Sequence, residues 1–158
     1  RCWQYLANQA LLEAGPLHSP VEVLDFGCGT GVSLTASKLL RSDLRITGTD
    51  LSPEMLSLAR KKGLTVVDIE SWRDVSSHSF DVIVCSFVLH FGVSDADLAR
   101  LAGQLRGGGV IAANIFKNAS QEFSRVRSAL VRAGLSPAVE TNHVEFGQIL
   151  VCVREGAR

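Results

Sequence analysis

Three glycines at alternate positions, Gly27, Gly29 and Gly31, follow directly on the apolar run Val21–Phe26. Bare residues at that spacing let the backbone turn sharply and let a ligand approach it closely. A helical stretch comes next, then a second apolar run that closes on Asp50. A strand, a glycine turn, a helix and a second strand tipped by a carboxylate restrict the chain to a parallel sheet with crossover helices. An acid at that second tip is placed to accept from two ribose hydroxyls, so a nucleoside-bearing ligand is expected.

The spacing separates two kinds of nucleoside. The dinucleotide fingerprint Gly-x-Gly-x-x-Gly, counted from Gly27, needs its third glycine at position 32, which holds Val32; the glycine sits one place early, at Gly31. Asp25, just inside the strand end, suits a cation and would repel a pyrophosphate. The run Asp25-Phe26-Gly27-Cys28-Gly29-Thr30-Gly31 together with Asp50 resembles the first two motifs of class I S-adenosylmethionine-dependent methyltransferases. S-adenosylmethionine carries an ammonium and a sulfonium and no phosphate. A nicotinamide-dependent oxidoreductase is the remote alternative; Val32 and Asp25 argue against it, and no Lys or Tyr is placed for hydride chemistry. A methyltransferase-like domain that binds cofactor or a partner without catalysis is the other alternative.

Composition sets limits. At 158 residues the chain reads as one domain, with sixteen basic and sixteen acidic residues cancelling, so no overall field draws nucleic acid or anionic membrane. Cys2, Cys28, Cys85 and Cys152 are far apart, which argues against a zinc site or a disulfide framework and for a reducing, cytoplasmic setting. No metal site is expected, since His18, His78, His90 and His143 share no ligand spacing. No apolar run approaches the length of a membrane span. The chain opens on Arg1, and the sequence reads as having lost residues upstream.

Periodicity predicts an N-terminal helix over residues 3–14, ended by Gly15-Pro16, and strands at Val21–Phe26, Leu44–Asp50, Leu64–Asp68, Phe80–Phe87 and Val110–Phe116. A helix is predicted over Gly31–Leu40, and another from Ser52-Pro53-Glu54 to Lys62, with a hydroxyl cap, proline in the first turn and Gly63 as the stop. Ser94 caps a further helix bearing Leu98, Leu101 and Leu105, closed by Gly107-Gly108-Gly109. Phe123, Val126, Leu130 and Ala133 mark the inner stripe of the next one. Strands near Ala138–Phe146 and Gln148–Arg154, with Gly147 between them, read as a hairpin. The fold expected is a doubly wound, mostly parallel seven-stranded α/β sheet, Rossmann-like, with a C-terminal antiparallel hairpin and helices on both faces. The resemblance covers nearly the whole chain.

That resemblance implies roles residue by residue. Asp25 would hold the cofactor's ammonium, with capping of the following turn as the alternative. Gly27, Cys28, Gly29 and Gly31 would form the floor beneath the cofactor, Cys28 as a small loop residue. Asp50 would take the ribose hydroxyls, or merely cap the next helix, and Leu51 would lie against the adenine. Asp68 would accept from the adenine amino group, with Glu70 a near competitor and Ile69 beside the ring. Ser86 and Phe87, after Cys85, would face the methionine portion and the transferable methyl. Asp81, at the other end of its strand, reads as structural, and Arg125, Arg127 and Arg132 as a solvated face.

His90 is the candidate general base, its ordinary pKa suiting that work; the alternative is a histidine that only borders the pocket. The fourth strand lacks the Asp/Asn-Pro-Pro-Tyr/Phe run of nucleobase and glutamine amino-methyltransferases, and the Pro-Cys nucleophile of cytosine methylation is missing. A small-molecule acceptor is therefore expected, with no nucleic acid and no membrane. The link Lys117–Ser120 is short, so the acceptor pocket past Ser86, Phe87 and His90 is expected to be open. Its closure would come from residues before Arg1, a second copy or partner subunit, or a large acceptor.

Overall fold

A computed structural model describes residues 1–116 and 120–156. The chain forms α1 (Cys2–Glu13), β1 (Val21–Phe26), α2 (Ser33–Ser37), β2 (Leu44–Thr49), α3 (Pro53–Lys61), β3 (Thr65–Val66), α4 (Ile69–Arg73), β4 (Phe80–Cys85), α5 (Asp95–Gln104), β5 (Leu105–Ile115), α6 (Ser120–Arg132), β6 (Leu135–His143) and β7 (Gly147–Arg154). One seven-stranded sheet holds all the strands in the order β3-β2-β1-β4-β5-β7-β6. The first five run parallel, and β7 is antiparallel to both β5 and β6. The doubly wound expectation and its terminal hairpin are both met.

Every residue of β4 is buried, as its unbroken apolar run requires of a strand covered on both faces. One layer packs Leu24, Ile83, Ile111 and Leu101 with Val126 and Leu130 of α6. The other packs Val23, Val82, Val110 and Val151 beneath Trp3, Leu6 and Ala10 of α1. Asp81 is structural, as read: its Oδ2 accepts from the Glu22 backbone N–H at 2.8 Å and from Arg106 at 3.1 Å. Among the described residues no helix is long and apolar enough to cross a membrane.

Several boundaries differ from the sequence reading. Gly107–Gly109 lies inside β5 instead of closing α5, which ends at Gln104. The β4–β5 register shifts between Phe80 and Val82, and a Cβ on Gly109 would stand 2.8 Å from Arg106 O and 3.0 Å from Asp81 O. Glycine there permits close strand contact; it does not stop a helix. β3 shrinks to Thr65–Val66 because Asp68 turns the chain into α4, a helix the sequence reading lacked. α2 is confined to Ser33–Ser37, and β6 ends at His143, leaving Val144–Phe146 as the hairpin turn. The link placed at Lys117–Ser120 lies outside the described residues, save that α6 begins at Ser120.

Candidate active site

The site sits beyond the carboxyl ends of the parallel strands. Gly27, Gly29 and Gly31 all have positive φ (80°, 54° and 91°), so the alternate glycines follow from the loop's backbone. Thr49 O accepts from the N–H groups of both Gly27 and Cys28 at 2.9 Å, which pins the loop to the end of β2. The glycines differ in what crowds them. A Cβ on Gly27 would come 2.8 Å from Val88 and one on Gly31 3.2 Å from Ala59, whereas one on Gly29 would meet nothing within 4 Å. Gly29 therefore faces open space. The Cys28 side chain points inward against Gly48, and burial pushes its thiol up to about 12, so it packs and does not react.

Asp50 bridges the loop and the next helix. Its Oδ2 accepts from Gly29 N–H and its Oδ1 from Ser52 N–H, both at 2.9 Å, while Ser52 Oγ caps α3 by accepting from Met55 N–H at 3.3 Å. Beside it lies a cavity of about 450 Å³ lined by Gly27, Thr49, Asp50, Leu51, Ile69 and Val88, with Phe87 and Phe91 at one side. Leu51, Ile69 and Val88 supply the apolar walls that a flat base needs. Thr49 Oγ1, fully buried on this lining, has no hydrogen-bond partner. Asp68 stands outside the lining and caps α4, accepting from Ser71 N–H at 2.7 Å, and that bond lowers its pKa.

Asp25 is 2% exposed, and burial raises its pKa to about 7, with the Asp50 charge adding to the rise. Ser33 and Trp3 lie close enough to pull the value back, yet Asp25 Oδ2, Ser33 Oγ and Trp3 Nε1 each lack a well-formed hydrogen bond. A buried carboxylate with an orphaned oxygen is costly until a cation and donors reach it. The residues thus fit S-adenosylmethionine: a buried carboxylate with an orphaned oxygen, off the cavity lining, that would take the ammonium, an acid and an uncrowded glycine that would meet the ribose, and apolar walls for the base.

At the far end of β4 the chain passes through Ser86 to Phe87, whose φ is 54°. Asn114, fully buried on β5, accepts from Phe87 N–H at 2.7 Å and donates to Phe146 O at 2.9 Å. The Phe87 ring stands edge-on to Phe116 and Phe146. His90 lies in a single 3-10 turn, Leu89–Phe91, its ring 4.3 Å from that of Phe91 and off the cavity lining. Arg125, Arg127 and Arg132 pair with Asp95, Glu122 and Glu140 on the outer surface.

The structure places Gly27, Asp50, Leu51, Ile69 and Phe87 on one crevice, ties Gly29 to it through its bond to Asp50, and leaves Asp25, Cys28, Gly31, Asp68, Ser86 and His90 off its lining. Thr49 joins the lining without having been read from the sequence, and Trp3 and Ser33 beside Asp25, and Asn114 and Phe146 behind Phe87, were likewise unread. Trp3 looked like one more apolar position on α1, and only the sheet's topology brings Asn114 to Phe87. A polar residue inside the apolar run Val110–Ile115 was the one available signal for Asn114.

A methyltransferase domain family matches residues 23–109, more than half of the chain. The trans-aconitate 2-methyltransferase of Methylobacterium radiotolerans is 31% identical over 129 residues, covering 78% of this chain and 49% of that protein. The chain thus spans about half the length of that curated relative. A methyltransferase of Haloferax volcanii, solved in complex with its Trm112 activator, superposes with a TM-score of 0.74 at 20% identity, covering 99% of this chain and 91% of that one. An amino pentose methyltransferase from Micromonospora echinaspora, solved with S-adenosylmethionine bound, gives 0.73 at 17% identity, covering 98% and 92%. These two likenesses concern the fold.

Proposed function

The chain belongs to the S-adenosylmethionine-dependent methyltransferases, and from that premise we propose that it transfers a methyl group to an oxygen or nitrogen of a small-molecule acceptor by in-line displacement. The observation that carries this reading is the crevice itself. It sets the Gly29–Asp50 unit on an apolar cavity of about 450 Å³ beyond the strand ends, and the buried Asp25 with its orphaned oxygen, at the end of β1, supports the reading.

When bound, S-adenosylmethionine supplies an electrophilic methyl on a sulfonium. Asp25 would bind the ammonium, with Ser33 and Trp3 turning their donors to the carboxylate. Asp50 would accept from the ribose hydroxyls through lone pairs that Gly29 and Ser52 leave free. Leu51, Ile69 and Val88 would hold the adenine. Phe87 would border the methyl end, where alignment of acceptor and methyl does most of the catalytic work. The acceptor's proton leaves to solvent, since His90 stands off the cavity lining.

The relatives named above act on trans-aconitate and on an amino pentose, which supports a metabolite-sized acceptor here. We assign the cytoplasm as its compartment, a setting consistent with the four free, buried cysteines. A second reading is a cofactor-binding domain completed by a partner subunit or a second copy. The exposure of Phe91 (78%) and Leu51 (75%) at the rim favours it. Calorimetric titration with S-adenosylmethionine, beside an assay for S-adenosylhomocysteine release across acceptor extracts, separates the two. Binding with turnover supports the enzyme; binding without turnover, restored by a second protein, supports the other; no binding ends both.

A further inference from the structure

Resting on the methyl-transfer reading, we propose that Trp3 of α1 and Ser33 of α2 are positioning residues for the cofactor's ammonium. They hold Asp25 as the ionised partner that the ammonium requires, which makes the first turn of α1 a working part of the cofactor site. Three buried polar atoms from three elements carry this inference. Asp25 Oδ2 on β1, Trp3 Nε1 on α1 and Ser33 Oγ on α2 each lack a hydrogen-bond partner, in residues 2%, 3% and 0% exposed. Ser33 and Trp3 face the carboxyl group closely enough that both favour its ionised form. One orphaned atom is a cost to the fold; three around one carboxyl group mark bonds that form in another state of the protein.

The second tryptophan shows a satisfied indole in the same protein. Trp72, also buried, donates from Nε1 to Gln104 Oε1 at 2.8 Å, and Gln104 Nε2 donates back to Trp72 O at 3.1 Å. That unit is closed without any ligand, and Trp3 has no such closure. An ionised carboxylate offers about four lone-pair sites, room for the indole, the hydroxyl and one ammonium together. The same turn of α1 also meets the end of β4. Burial holds the Cys2 thiol above its ordinary pKa, and a side-chain hydrogen bond with Ser86 opposes the rise. Cys2 and Trp3 thus fasten α1 beside the ends of β4 and β1 at once.

The charges around Asp25 leave this work to the two donors. Burial lifts the carboxyl to about 7, Ser33 and Trp3 oppose the rise, and Asp50 beyond β2 adds to it. Cys28 in the glycine loop and Cys85 on β4 share its field, and burial holds both thiols far above their ordinary value, so they stay neutral. Losing either donor therefore shifts the balance toward the protonated carboxyl, which an ammonium does not seek.

Calorimetric titration of the 158-residue chain with S-adenosylhomocysteine tests this. Ser33→Ala removes a hydroxyl and little volume, and Trp3→Phe removes the indole N–H and keeps a ring. Each should raise the Asp25 pKa by about one, the size of one hydrogen bond to a charged group. Affinity should then fall about fivefold near about pH 7 and less than about twofold near about pH 8.5, where the carboxyl is ionised with or without the donor. Ser33→Ala, rid of an orphaned hydroxyl, should melt no lower than the parent, whereas Trp3→Phe should melt lower because the smaller ring leaves a void. A packing defect does not vanish as pH rises, so equal losses at the two pH values, or no loss at either, overturn the proposal. Indole emission of the parent, titrated without ligand, should show a step near about pH 7 that Trp3→Phe and Asp25→Asn both abolish. Flat emission, or a step that survives Asp25→Asn, removes Trp3 from the role. Failure of the parent to bind S-adenosylhomocysteine overturns the proposed function instead, and the emission titration still reads the contact between Trp3 and Asp25.

Discussion

Gly29 donates its backbone N–H to Asp50 Oδ2 at 2.9 Å, which makes the glycine loop and the acid beyond β2 a single unit. The loop cannot shift without moving the carboxylate, and the carboxylate's other oxygen is tied to Ser52 N–H at the start of α3. Each oxygen keeps a lone pair for a ligand. In the proposed function, cofactor contact and local architecture would thus depend on the same side chain.

Asp50→Ala should therefore weaken S-adenosylmethionine by about 2–3 kcal/mol, or about 30- to 150-fold in Kd, through the lost ribose bonds to a charged group. The fold should persist, because the residue stands past the strand end and Thr49 O still anchors the loop. Calorimetry beside circular dichroism checks this. A folded variant with unchanged affinity would remove Asp50 from the cofactor site.

Gly29 and Gly27 should fail differently when replaced by valine. Gly29→Val places its branch in open space, so the damage should fall on cofactor binding, with a smaller loss from the 54° φ. In Gly27→Val the new Cβ is driven into Val88, 2.8 Å away, so the melting temperature should drop further. Equal stability losses in the two variants, with cofactor binding kept in Gly29→Val, would refute the distinction.

The contrast between those glycines shows how far the sequence reached. The three alternate glycines and Asp50 are local in the chain, and local patterns carry both the loop's φ values and its tie to Asp50. The apolar run of β4 likewise announced a strand covered on both faces. Asp68 looked the same as Asp50, an acid after a strand, but whether such an acid faces a ligand or caps a helix depends on where β3 ends. Trp3 and Asn114 were out of reach for a different reason. Their roles exist only after the sheet order brings α1 over Asp25 and sets β5 between β4 and β7.

His90→Ala should lower turnover by less than about tenfold, since positioning carries most of a methyl transfer. The ring packs on Phe91 at 4.3 Å and lies off the cavity lining. A positioned general base contributes about 10²–10⁴-fold. A loss of that size with cofactor affinity intact, read from kcat beside calorimetric Kd, would make His90 the base and overturn this reading.

The last prediction turns on the proton of Asp25. Desolvation is the main cause that lifts its pKa from 3.8 to about 7 in the cofactor-free fold, with Asp50 adding to the rise and Ser33 and Trp3 opposing it. The unfolded chain releases this proton near the ordinary carboxylate value, so between about pH 4 and 7 the folded state holds more protons than the unfolded one. Stability from this group is greatest below that window and is lost as pH rises through it. Cofactor binding runs the other way, because an ammonium prefers the ionised carboxylate. S-adenosylmethionine affinity should increase as pH rises through about 7, with one proton released per site on the acid side. Asp25→Asn removes both trends. Without cofactor it should melt higher than the parent at pH 8 and by a smaller margin at pH 5, and it should bind S-adenosylmethionine weakly at either pH. Calorimetry in buffers of different ionisation enthalpy counts the proton directly. A parent affinity that stays flat from about pH 5.5 to 8, with no proton released, would mean that Asp25 does not meet the ammonium.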